Sequence, residues 1–166
     1  PDEPEGVRSL CKLCALKAEN LCHVLGLDDS VAKGIYNKLS RKSDEIIDKK
    51  QIAALKYLSH TALTAHEKAV LCEGGAHGFS TFMSSYILSA LTDNAGLCEA
   101  LSAMRTYYGG MLEMGATSFW EDFDIDWMEN TAPLTRLPEE GERDIHGDFG
   151  KYCYVGFRHS FCHGWS

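Results

Sequence analysis

Apolar residues recur at helical spacing in one run after another along this chain, and each run stops at glycine or at a polar cap. A chain patterned in this way folds into consecutive helices. Over residues 7–25 the apolar positions include Leu10, Leu13, Cys14, Leu21, Val24 and Leu25, and Gly26 is the natural stop. Asp28, Asp29 and Ser30 offer N-caps for a second helix with Val31, Ile35 and Leu39 on one face. Lys33, Lys38, Arg41 and Lys42 make its other face wet. A third run, 51–71, begins with the stripe Ile52, Leu55 and Leu58 and ends at Gly74-Gly75. After a short glycine- and histidine-bearing loop, 74–78, an apolar run covers 79–91. Asp93 or Asn94 then caps a helix over 95–108 with Leu97, Cys98, Leu101 and Met104 on its stripe, and Gly109-Gly110 breaks it.

No run alternates as a strand would, so the expected class is all-α, with helices in consecutive pairs as in stacked or toroidal hairpins. The stretch 132–154, rich in proline, glycine and charge, reads as a long loop, and loops of that length are usually functional. The chain is long enough for one domain with its own core. It opens Pro1-Asp2-Glu3-Pro4, without Met or a leader, and ends abruptly at Trp165-Ser166. The expectation is therefore an excised piece of a longer protein.

Charge narrows the partners. A net charge of −8 speaks against nucleic acid, which is bound through cations that neutralise phosphate. No segment approaches the roughly 20 apolar residues of a membrane span. The acid is clustered as well: Glu113, Glu121, Asp122, Asp124, Asp126 and Glu129 lie within 111–130 without one Lys or Arg.

The seven cysteines, Cys11, Cys14, Cys22, Cys72, Cys98, Cys153 and Cys162, form no disulfide framework and are expected to be buried thiols. Cys11, Cys14, Cys22 and His23 have zinc-like letters but share one helix, whereas structural zinc gathers ligands from turns. Cys11 and Cys14 also lack the βαβ setting of a redox pair. His146, Cys153, His159, Cys162 and His163 cluster near the C-terminus without a zinc spacing. Asp122, Asp124 and Asp126 imitate the start of a calcium loop, but Trp127 and Pro133 stand where that loop needs Gly and Glu. No metal and no cofactor is expected.

The densest signal is the stretch 119–127, Phe-Trp-Glu-Asp-Phe-Asp-Ile-Asp-Trp, where aromatics and carboxylates interleave. Two readings compete. On a helix, Trp120, Phe123 and Trp127 would form an ordinary core stripe with Glu121, Asp122 and Asp124 in solvent. Alternatively the segment is a sugar site, because a sugar presents apolar C–H faces and hydroxyl rims, and glycoside cleavage needs flanking carboxyl groups. A carboxylate beside Trp and Phe is raised towards the pKa of a usable base.

The same residues resemble the bacterial α-L-rhamnosidases. The resemblance rests on Gly115-Ala116-Thr117-Ser118-Phe119-Trp120-Glu121-Asp122-Phe123 and on Arg158-His159-Ser160-Phe161-Cys162-His163-Gly164-Trp165-Ser166. His77-Gly78-Phe79-Ser80-Thr81-Phe82, Gly109-Gly110-Met111-Leu112-Glu113 and Ile145-His146-Gly147-Asp148 support it, in the same order, so that it covers 74–166. It implies an (α/α)6 barrel of which this chain holds about half the ring, as the C-terminal part of the catalytic domain. It further implies an inverting glycoside hydrolase that removes terminal α-L-rhamnosyl residues. Glu121 matches the general base, and His163 the sugar-pocket histidine. Trp120 and Trp165 would be pocket walls, with His77 and Asp148 as further substrate-binding residues.

The family's acidic, Arg-containing motif that supplies the general acid has no counterpart here, so the chain is expected to carry the base alone and to be inactive by itself. Its expected partners are the carbohydrate, the remainder of the same domain and other copies of the chain. The resemblance leans to a periplasmic or extracellular compartment over the cytoplasm. Two alternatives remain open at this point, a non-catalytic helical module that binds a glycan or protein, and a related (α/α)6 glycosidase acting on another sugar.

Overall fold

A computed structural model describes residues 4–40 and 45–149. It is mostly helical, as the sequence predicts. The chain divides into two compact units, Pro1–Leu71 and Cys72–Ser166. No helix among the described residues is long and apolar enough to cross a membrane.

The first unit contains α1 (Pro4–Leu25), α2 (Ser30–Leu39), α3 (Lys50–Leu58) and most of α4 (Ala65–Cys72). Helix α1 packs on both α2 and α3. Ile52, Ala53, Ala54, Leu55 and Lys56 of α3 are all buried, a helix enclosed on nearly every side.

The expected single run over 51–71 is broken into α3 and α4, and the break has a chemical cause. His60 takes a left-handed φ of 59°, and the amides of His60 and Thr61 turn back to the carbonyls of Tyr57 and Lys56. Thr64 then restarts the chain. Its hydroxyl accepts from the Glu67 amide at 3.2 Å, while the Glu67 carboxylate accepts from the Thr64 amide at 2.7 Å. This reciprocal pair is a capping box. Glu67 also forms a buried ion pair with Lys56.

The predicted stripe of α3 is buried at Ile52 and Leu55, but those of α1 and α2 are mostly not the buried faces. On α1 the buried residues are Glu5, Gly6, Ser9, Lys12, Leu13 and Ala15, whereas Leu21, Val24 and Leu25 are exposed. On α2, Ala32 is buried and Val31 and Ile35 are exposed. Small residues line the contacts because they let helix axes approach closely, and the polar members are satisfied locally. Lys12 Nζ donates to Thr61 Oγ1 at 2.7 Å and lies over the Tyr36 ring, and Glu5 accepts from Ser9 and pairs with Arg8.

The second unit is built on the hairpin of α5 (Ser84–Ala95) and α6 (Leu97–Glu113), turned at Gly96. Helix α6 runs straight through Gly109-Gly110, where the sequence predicts a break. Its buried face is Ala100, Ala103, Tyr107, Gly110 and Met111, while Leu97 and Cys98 of the predicted stripe are exposed. After Gly115, at φ 95°, the chain is irregular as far as a 3-10 helix, Ile125–Met128. The expected long loop is largely irregular over its described part. Two short strands, β1 (Thr131–Ala132) and β2 (Arg143–Asp144), pair in parallel across it, with Thr131 opposite Arg143.

Candidate functional site

The acidic segment is anchored by its aromatics, although it is not the helix that a core stripe would require. Helix α6 prepares the ground. An added Cβ at Gly110 would lie 2.6 Å from Ile125 Cδ1 and 2.7 Å from Met128 Sδ, so only glycine lets the 3-10 helix sit this close. Trp120 and Phe123, both about 1% exposed, turn inwards from the irregular stretch between them. Their rings meet edge to face at 5.7 Å, and Phe123 meets Tyr107 in the same way at 5.4 Å. The Trp120 amide points at Met111 Sδ, and the Tyr107 hydroxyl donates to the Phe123 carbonyl at 2.7 Å. Trp127, half-buried, stacks on Phe149 at 4.9 Å, and the Arg143 guanidinium covers the far partner.

With Trp120 and Phe123 turned in, the carboxylates around them turn outwards. Glu121 and Asp124 are half-buried, and Asp122 and Asp126 are exposed. Asp124 is committed to local structure, since its carboxylate accepts from the Asp126 amide at the start of the 3-10 helix. Asp122 behaves differently. The residue is exposed as a whole, yet desolvation of its carboxyl against the packed segment, then repulsion from Asp124 and Glu121, holds it above the ordinary carboxylate range, and a backbone hydrogen bond at Phe123 opposes this only in part. His77, from the loop that follows α4, brings its Nδ1 to 2.7 Å from Asp126 Oδ1, with both side chains largely in water.

Two of the segments singled out in the sequence, 74–78 and 119–127, therefore meet. Asp148 sits elsewhere in the loop system, where its Oδ2 accepts from the Asp144 amide at 2.7 Å. His163 and Trp165 lie outside the described residues, as do Cys153, Cys162 and His159.

Trp120 also borders a cavity of about 380 Å³. The indole of Trp120 forms part of its wall, with Thr117, Leu134, Thr135, Asp144 and His146 around it. Arg136 also borders it, but as half of a bidentate pair with Glu142 at 2.5 and 2.6 Å. Hydrogen bonds from that guanidinium and from the Glu139 amide push the Glu142 carboxyl down to about 2. Glu121 is not among the residues that line this cavity. Gly115, Thr117, Trp120 and His146 belong to segments the sequence singled out, and the rest of the lining comes from the loop 133–144, which folds back against them through contacts distant in sequence.

Among the described residues no three His, Cys, Asp or Glu side chains gather as metal ligands. The described cysteines are exposed (Cys11, Cys14, Cys98) or half-buried (Cys22, Cys72), which corrects the expectation of buried thiols. Compared with protein families, with curated proteins and with solved structures, the chain matches none.

Proposed function

We propose that the second unit carries part of the active site of an inverting glycosidase, with Glu121 as the general base and a terminal α-L-rhamnosyl residue as the substrate. The residue-level support is the loop 119–126 itself, fastened by buried Trp120 and Phe123 so that Glu121 and Asp122 project from a fixed backbone, with His77 hydrogen-bonded to Asp126 of the same loop. That meeting of two distant segments is the observation that carries the reading. A general base must hold a water in line with the anomeric carbon, and a carboxylate on an anchored loop beside aromatic rings meets that need. The sugar and the stereochemistry come from the resemblance alone, as does the wider (α/α)6 ring in which the two helical hairpins would be members.

In this mechanism Glu121 takes a proton from the attacking water while a second carboxyl protonates the leaving oxygen, and in inverting enzymes the two stand roughly 6.5–9.5 Å apart. The acid is assigned to a part of the parent protein outside this chain. Glu121→Gln in a protein that joins this chain to the rest of such a domain is expected to lower kcat on an aryl rhamnoside by at least about 10²-fold. Unchanged turnover would end the assignment, and preference for another aryl glycoside would replace the sugar.

A second reading, glycan binding without cleavage, is favoured by the cavity at Trp120, which has an aromatic wall and hydroxyl neighbours but not Glu121. Saturation transfer from the chain to rhamnose that survives Glu121→Gln, with no hydrolysis in any longer form, would select it.

A further inference from the structure

Helix α1 has two faces, and only one of them is used within its unit. Glu5, Ser9, Lys12 and Leu13 lie on the side turned to the unit's interior. On the opposite side of the cylinder Val7, Cys11, Cys14, Ala18, Leu21 and Leu25 follow one another at spacings of 4, 3, 4, 3 and 4, and every one is exposed. This is the heptad seam by which one helix packs along another. A solvated face carries apolar residues singly, not in an unbroken seam running from one end of a 22-residue helix to the other.

We infer that this seam pairs with α1 of a second copy of the chain, antiparallel, about a two-fold axis. Side-chain size and the helix dipole support that occupant. The large members of the seam are open to solvent, with Val7 46%, Leu21 58% and Leu25 60% exposed. Its N-terminal half carries smaller side chains (Val7, Cys11, Cys14), and its C-terminal half the larger Leu21 and Leu25. Antiparallel pairing sets Val7 against Leu25 and Cys11 against Leu21, a smaller side chain against a larger one, and Cys14 against Ala18 at the centre, where the axes come closest. Parallel pairing would crowd leucine on leucine at one end and leave space at the other. Antiparallel packing also places each helix N-terminus beside its partner's C-terminus, where the dipoles attract. The isologous contact closes after two copies. One feature opposes it, since Lys17 flanks the seam next to the axis and meets its own symmetry mate.

The inference is independent of the proposed hydrolysis, because no residue of the second unit takes part. Light scattering over a dilution series of the whole chain is expected to give twice the monomer mass. Leu21→Asp should halve that mass without change in helical circular dichroism, and Lys17→Gln should tighten the dimer by removing the like-charge pair. Under mild oxidation the thiol introduced by Leu21→Cys should bridge to Cys11 of the other copy, located by peptide mapping. A monomer throughout the series, meaning that a different occupant covers the face, would overturn the inference. So would a dimer indifferent to Leu21→Asp, or a Cys14–Cys14 bridge between copies, the product of parallel pairing.

Discussion

The hydroxyl of Tyr107 donates to the Phe123 carbonyl at 2.7 Å and shares a 3.3 Å contact with Thr81 Oγ1, all in the interior of the second unit. Burial pushes this phenol far above its ordinary pKa, so it remains a donor at every pH at which the protein is folded. Phe123 stands between Asp122 and Asp124, so one buried hydrogen bond sets the backbone from which both carboxylates depart. Tyr107→Phe leaves that carbonyl without its donor, a loss expected to cost about 1–3 kcal/mol. Tyr108, whose hydroxyl lies 2.6 Å from Ser84 Oγ in a partly buried position, supplies the control, because water can replace what Tyr108→Phe removes. Urea unfolding of the two variants compares them directly. Equal losses would mean that the Phe123 carbonyl finds another partner and that the loop is not fixed in this way.

Adjacent glycines on one helix face opposite surroundings, and the contrast shows what holds the site to α6. A Cβ at Gly109 would meet nothing within 4 Å, whereas one at Gly110 would strike Ile125 and Met128. Gly109→Ala should therefore stabilise the protein by up to about 1 kcal/mol through helix propensity. Gly110→Ala gains the same propensity but displaces the 3-10 helix, with overpacking strain of about 1–3 kcal/mol. Thermal melts should place the two variants on opposite sides of the unsubstituted protein. Two melting points raised alike would show that the 3-10 helix yields without cost.

The same pair marks how far elements could be read from the sequence. A double glycine signals a stop on propensity alone, and nothing local records that a distant segment will come to cover it. The existence of consecutive helical stretches was legible because period and punctuation are local, although the run 51–71 read as one helix and holds two. The face of α3 was legible in Ile52 and Leu55, but those of α2 and α6 were not, since Ala32, Ala100 and Ala103 carry too little hydrophobicity to announce a contact that depends on close approach. The break before α4 was written in Thr64-Ala65-His66-Glu67, a capping box passed over because the apolar period continued across it. At the site, the interleaved aromatics of 119–127 were visible, and Trp120 and Phe123 did prove to be core. The meeting of His77 with Asp126 joins residues far apart in the chain, and no local pattern carries it.

At the scale of the whole molecule the two units should differ in their first answer to acid, above about 4.5, where the depressed carboxyls of Glu67 and Glu142 both remain ionised. In the first unit, burial alone would raise Glu67, but hydrogen bonds from Lys56 and from the Thr64 amide, and the Lys56 charge, outweigh it and hold the carboxyl below its ordinary 4.5. A depressed folded pKa contributes stability that is complete above about 4.5 and is lost as pH falls through the folded value. In the second unit Asp122 is raised above its ordinary 3.8, so its ionised form is a burden on the fold at neutral pH, relieved as pH falls through the raised value. All three tryptophans, Trp120, Trp127 and Trp165, belong to the second unit, so their emission reports its unfolding, while amide exchange in α3 reports the first. Acidification from neutrality should first raise the urea midpoint seen by tryptophan, and only below about 4.5 erode protection in α3. Asp122→Asn should remove the rise in the tryptophan profile above about 4.5, leaving the α3 limb unchanged. If Asp122→Asn leaves both profiles as they were, the crowding of carboxylates around Glu121 exacts no cost from the fold, and the acidic loop is less enclosed than its aromatic anchors imply.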